Sequence, residues 1–255
     1  MNEGKKVAIV QSCYIPWKGY FDLINMVDEF ILYDNVQFTR RDWRNRNMIK
    51  TPTGVQWLTI PVEVKNKYFQ NINETRISDP GWVQKHWKTI VFNYSKTPFF
   101  GQFEDEIAQL YFQCRQEEYL SQINYQFLAK ICSLLGIKTK ISWSTDYVVA
   151  PELKKTERLL ALCQTVGATQ YISGPSAQDY LESELFDKAS IKLSYIDYSE
   201  YPNYRQLFGE FIHTVSILDL LFNMGTNAVK YMKSFKVATL ENEENFLSLS
   251  QEMSV

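Results

Sequence analysis

The sequence predicts an α/β protein, a mostly parallel sheet with flanking helices of Rossmann-like type, with a helical segment in its middle. Three observations predict it. Short apolar, β-branched runs recur at Val7 to Gln11, Glu29 to Asp34, Ile141 to Ser144, Gln170 to Ser173 and Ile191 to Ile196. Stretches of helical periodicity separate them, the alternation that buries parallel strands between helices. The first strand, loop, helix and strand fit within 35 residues, the length of one βαβ unit.

Each element follows from local pattern. After VAIVQ, the run GYFDLINMV places Tyr20, Leu23, Ile24 and Val27 on one helical face, and EFILYD is the second strand. Trp57 to Val62 is a third strand candidate, and Pro61 puts it at an edge or ends it. Residues 83–96 and 104–135 repeat at helical spacing, and Gly136 is a C-terminal stop for the second run. Further helices are expected over Glu152 to Val166 (stopped by Gly167), Asp179 to Lys188 and Ser216 to Met232. The expected organisation is one α/β domain over residues 1–238, with a helical insertion around 83–135. An acidic tail over 239–255 holds Glu241, Glu243, Glu244 and Glu252 without a base and is expected to be disordered.

Composition narrows the function. The 255 residues are 45% hydrophobic and 22% charged, the balance of an ordinary soluble globular chain. A net charge of −2 argues against nucleic-acid binding as the main role. Cys13, Cys114, Cys132 and Cys163 stand far apart with no CxxC pair, and His86 and His213 are the only histidines. Neither a zinc site nor a disulfide framework is expected from that set. The apolar run at the N-terminus is too short for a signal peptide, and no apolar stretch approaches 18 residues, so the expected location is cytoplasmic.

Four segments could carry chemistry. The loop QSCYIPWKG (Gln11 to Gly19) leaves the carboxyl end of the first strand, where open α/β sheets bind ligands, or it merely packs Tyr14 and Trp17 on the core. The segment QFTRRDWRNRNMIK (Gln37 to Lys50) carries Arg40, Arg41, Arg44, Arg46 and Lys50 against Asp42 alone. It is either a solvated face or a grip for phosphate, with Trp43 free to stack on a base or sugar. Because both segments leave the same sheet edge, they are expected to line one cleft. YISGP (Tyr171 to Pro175) brings Ser173 and Gly174 to that edge. In FIHTVSILDLLFNMG, Asp219 is too costly to bury alone, and an arginine of the basic segment is its expected partner. There is no GxSxG, P-loop or GxGxxG motif, and Cys13 has no histidine near it in sequence.

The run VQSCYIPWKGYFDLINMVDEFILYDNVQFTRRDWRNRNMIKTPTGVQWLTIPV, followed in order by KTPFF, LGIKT, GATQYISGP and HTVSILDLLFNMG, resembles the WbqC-like protein family over residues 7–232. The positions carrying the family pattern are Gln11, Tyr14, Pro16, Trp17, Gly19, Asp34, Gln37, Arg44, Asn45, Arg46, Lys50, Gly174, Pro175 and Asp219. Ser12-Cys13 depart from it, standing where the family has a Pro-Asn or similar pair. The resemblance implies a place in bacterial surface-polysaccharide (O-antigen) biosynthesis, with a glycine-transferring role suggested for some members. A looser similarity, of fold alone, extends to the nucleotidylyl-transferase-like proteins. Their HxGH motif would fall on Trp17-Lys18-Gly19-Tyr20, so phosphate handling would pass to Lys18 and the arginines.

The expected activity is therefore a transferase that adds a small acyl or aminoacyl group, such as glycyl, to a nucleotide-linked amino sugar. Glycosyl or nucleotidyl transfer in the same pathway, and non-catalytic nucleotide-sugar binding, are the alternatives. Asp34 and His213 are the candidate bases, and Tyr14 and Gln37 candidate donors to an oxyanion. Candidate binding residues are Gln11, Trp17, Lys18, Gly19, Gln37, Arg41, Trp43, Arg44, Asn45, Arg46, Lys50, Ser173, Gly174 and Asp219, with no metal. An activated acyl donor is implied, with ATP, a CoA thioester and aminoacyl-tRNA equally compatible.

Overall fold

The computed structural model describes residues 4–235. Five strands form one parallel sheet: β1 (Lys6–Val10), β2 (Glu29–Leu32), β5 (Lys140–Trp143), β6 (Gln170–Ser173) and β7 (Lys192–Tyr195). Their order across the sheet is β5-β2-β1-β6-β7, with every pairing parallel. From β1 the chain winds outward through β2 to β5, then returns to the other side of β1 for β6 and β7. The winding reverses between β1 and β6, so the sheet is α/β and Rossmann-like, with its switch point there.

Alternation along the strands explains why both faces are covered. On one face Ala8, Phe30 and Leu32 meet α1 (Lys18–Asn25), α4 (Leu120–Leu135) and α7 (Ile217–Met224) in the larger core. On the other, Val7, Ile9 and Ile31 meet α5 (Lys155–Thr165) and α6 (Ser183–Lys188) around Leu162 and Phe186.

Outside the sheet, β3 (Arg46–Thr51) and β4 (Gly54–Thr59) pair as an antiparallel hairpin. The second half of the basic segment is thus a strand, and β4 stops before Pro61. The helical middle holds α2 (Trp82–Tyr94), α3 (Phe100–Gln113) and α4. The single run expected over 104–135 is broken at 114–119. There Ile77 N–H donates to Glu118 O and Leu120 N–H to Thr75 O, and the Glu117 carboxylate takes the N–H groups of Glu118 and Tyr119. Those partners favour an extended backbone over another helical turn. The last helix is also shorter than expected. α7 ends at Gly225, whose φ of +60° suits glycine and where a Cβ would meet the Phe99 ring at 2.5 Å, and 3₁₀ turns follow to Tyr231. The expected acidic tail over 239–255 lies outside the described residues.

Candidate active site

A crevice of about 680 Å³ opens over the carboxyl ends of β1 and β6, the place where doubly wound sheets bind ligands. Gln11, Cys13 and the Ser173-Gly174-Pro175 turn lie at its base, and Trp17, Tyr33, Trp43, Tyr180 and Tyr198 supply aromatic walls. Among the described residues, Arg44 and Lys155 are its charged lining residues and no carboxylate lines it. The strand-end loop and part of the arginine segment therefore do share one cleft. Trp43 is 39% exposed and leans on Trp57 with ring centres 5.3 Å apart, which leaves indole surface for a ligand.

The loop after β1 is held in an unusual conformation. Ile15, just before Pro16, has φ +37°, a region that β-branched residues rarely enter. The surrounding structure fixes it. Asn47 Nδ2 donates to the carbonyls of Tyr14 at 3.1 Å and Ile15 at 2.9 Å, and Tyr14 N–H donates to Trp43 O at 3.1 Å. Arg44 Nη1 reaches Gln11 O (3.1 Å), Ser12 O (3.3 Å) and Cys13 Sγ (2.9 Å). Its Nε is buried without a hydrogen-bond partner, 3.7 Å from the Asp42 carboxylate. The loop then enters α1, where Gly19 is required by close approach: a Cβ there would lie 2.3 Å from the Trp17 ring.

Beneath the loop sits a buried polar cluster. Asp34 Oδ1 accepts the Ser12 N–H at 2.7 Å, and Oδ2 accepts the Ser121 hydroxyl. Asn124 Nδ2 donates to Ser12 Oγ and to Arg44 O, each at 2.9 Å. Burial pushes the Asp34 carboxyl up, against the pull of those donors and of Arg44. Burial also pushes the Cys13 thiol up to about 11, outweighing the adjacent guanidinium, so Cys13 is a protonated thiol near neutrality.

The remaining predicted residues scatter. Tyr14 is fully buried away from the crevice, its hydroxyl bonded to Tyr111 Oη (2.6 Å) and His86 Nδ1 (2.9 Å). Gln37 donates to Tyr68 O, and Asn45 to Ile60 O, both in loop packing. Arg41 offers its carbonyl to Arg46, whose guanidinium lies 4.1 Å from the Trp57 ring centre; neither arginine lines the crevice. Lys18 is buried, donates to Pro202 O at 2.8 Å and lies beside the rings of Tyr201 and Tyr204. His213 is exposed next to Thr214 of the crevice wall, and slight burial with Lys18 nearby lowers its pKa.

Asp219 is buried, as expected, but its partners are not arginines. Tyr204 donates to Oδ1 at 2.7 Å, Gln206 to Oδ1 at 3.0 Å and Tyr94 to Oδ2 at 2.8 Å. The basic group that acts on it electrostatically is Lys50, which donates to Gln206 Oε1 at 2.7 Å and to Glu210 O. The segment from Pro202 to Ile212 folds over this acid, so neutral donors from distant sequence replace the guanidinium.

Sequence reasoning missed Lys155, at the first turn of α5, and the aromatic wall of Tyr33, Tyr180 and Tyr198. The signal for Lys155 was topological: a helix returning to a parallel sheet begins at the strands' carboxyl edge, with its positive dipole end toward that edge. Among the described residues no group of three or more His, Cys, Asp or Glu is placed to hold a metal ion. No described helix is long and apolar enough to cross a membrane.

Fold and site together define an α/β protein with a Rossmann-like sheet and an aromatic, cationic crevice at its switch point. The chain belongs to the WbqC-like protein family, which it matches over residues 11–231. It is 52% identical over 229 residues to the uncharacterized protein Rv1507c of Mycobacterium tuberculosis, covering 90% of this chain and 98% of that relative. No solved structure matches the chain.

Proposed function

We propose that this protein is a transferase of bacterial surface-polysaccharide biosynthesis that adds a small acyl or aminoacyl group, such as glycyl, to the amine of a nucleotide-linked amino sugar. The observation that carries the reading is the crevice lining: aromatic faces combined with Arg44 and Lys155 and, among the described residues, no carboxylate. A flat base packs against indole or phenol rings, and a diphosphate finds two cations and the positive end of α5.

In this reading the sugar's amine nitrogen attacks the acyl carbon of an activated donor. The new C–N bond forms, the bond to the leaving group breaks with its electron pair, and the nitrogen loses a proton. His213 suits that proton, because it is exposed next to Thr214, which lines the crevice, and its lowered pKa keeps it neutral near pH 7. Asp34 suits it less, since both carboxylate oxygens already accept hydrogen bonds. Cys13 is protonated and is left out of the chemistry.

The test is to incubate the protein with nucleotide-linked amino sugars and three donor systems: glycine with ATP, glycyl-CoA and glycyl-tRNA. Mass spectrometry should show the sugar nucleotide gaining one glycyl group with one donor. Tight sugar-nucleotide binding with no turnover from any acyl donor would make the protein a binder instead.

A further inference from the structure

A second pocket, of about 330 Å³, lies over the carboxyl ends of β2 and β5, beside the crevice already described. Its lining is of another chemical kind. Asp34, Asn35, Asn73, Gln122, Trp143 and Thr145 line it, and among the described residues no lysine or arginine does. A site without cations does not select phosphate. Amides and hydroxyls both donate and accept, which matches the alternating demands of sugar hydroxyls. Trp143, backed by Tyr125 at 5.5 Å between ring centres, offers an aromatic surface for the C–H face of a pyranose ring.

Two details give the pocket direction. Asn73, a lining residue, has its Oδ1 buried without a hydrogen-bond partner, so its amide has hydrogen-bonding capacity left over. Among the described lining residues Asp34 is the one charged residue, and it also lies at the partition from the crevice: its Oδ1 takes the N–H of Ser12, whose neighbours Gln11 and Cys13 line the other side. The volume is at the low end of the ~300–1,000 Å³ of small-molecule sites, room for one sugar ring.

We infer that this second pocket is a sugar-ring subsite, with Trp143 as its platform and Asn73 and Gln122 reading hydroxyls. The inference deepens the proposed function by assigning the sugar and the nucleotide of one ligand to two adjoining pockets, and it rests on that reading only for the link between them.

Saturation-transfer NMR with free D-glucosamine, D-galactosamine and D-glucose tests it. Both hexosamines and glucose should receive saturation from the protein, since the ring and its hydroxyls carry the recognition. Asn73→Leu should weaken sugar binding roughly 3- to 10-fold, the loss of one neutral hydrogen bond. Trp143→Ala should abolish the signal, and Asn73→Leu with a normal melting curve guards against misfolding of the tryptophan variant. Lys155→Ala should leave sugar binding intact while weakening binding of nucleoside diphosphates. Absence of transfer to any of the three sugars, or transfer unchanged in both pocket variants, would overturn the subsite. Sugar binding without nucleoside diphosphate binding would sustain the subsite and sink the nucleotide reading instead.

Discussion

Nη1 of Arg44 stands 2.9 Å from the sulfur of Cys13 while it also donates to the carbonyls of Gln11 and Ser12. One guanidinium nitrogen thus ties the basic segment to the turn at the end of β1, and Arg44 also lines the crevice. Arg46, two residues on, lies instead against Trp57 outside it. This division separates two arginines that composition alone treats alike.

Replacing Arg44 with Ala should therefore weaken nucleotide-sugar binding roughly 10- to 150-fold, the loss of a charge-assisted contact worth ~1.5–3 kcal/mol. It should also lower stability, because the loop carbonyls lose their donor. Lys should not rescue, since a point charge cannot copy the fork. Arg46→Ala should leave affinity within about twofold. Calorimetric titration and a melting curve on each variant check this; equal effects at both positions would return the segment to a general charged surface.

Cys13 should be slow to alkylate at pH 7 and faster only as pH approaches about 11, where the thiolate forms. Mass-resolved iodoacetamide labelling measures this directly. Cys13→Ser should keep turnover in the glycyl-transfer assay, whereas complete loss with an intact fold would restore a nucleophilic role.

His86 makes stability depend on pH. Burial holds its folded pKa near 4, against 6.5 for an ordinary histidine, so the unfolded chain takes up the proton first. Stability from this group is present above pH 6.5 and is lost as pH falls toward 4, about 3 kcal/mol in all. Urea unfolding at pH 7 and at pH 4.5, with His86→Gln as the comparison, should show a shallower pH dependence in the variant. Parallel slopes would remove His86 from the account.

His213 should control the acid limb of activity. With a lowered pKa it stays an acceptor below the usual histidine range, so kcat/KM should fall only at pH below about 6.5. His213→Gln should remove that limb and depress kcat while leaving binding unchanged. An acid limb that persists in the variant would assign it elsewhere.

Asp219→Ala should destabilise the protein by roughly 3–5 kcal/mol, because the hydroxyls of Tyr94 and Tyr204 would be left as buried donors without an acceptor. Asp219→Asn should cost less, retaining an acceptor oxygen. Denaturant titration of the two variants orders them, and equal losses would contradict the cage of neutral donors.

What the sequence determined by itself is the sheet and its flanking helices. Runs such as VAIVQ, EFILYD and QYIS carry their own period and β-branched content, and the loops that leave them must emerge at one edge of a parallel sheet. That common edge brings Gln11, Trp17, Trp43, Arg44, Ser173 and Gly174 together, while Tyr14 and Arg46 of the same segments lie outside the crevice. The tertiary structure alone decided matters that depend on distant partners. The 104–135 run breaks because residues 75–77 offer its backbone better hydrogen bonds than another turn would. Asp219 is met by tyrosines because residues 202–212 fold over it, and Lys155 joins the crevice because α5 starts at that edge. Local periodicity decides what a segment is, but the partner of a buried polar group is chosen by desolvation across the whole chain, and no short window of sequence contains that choice.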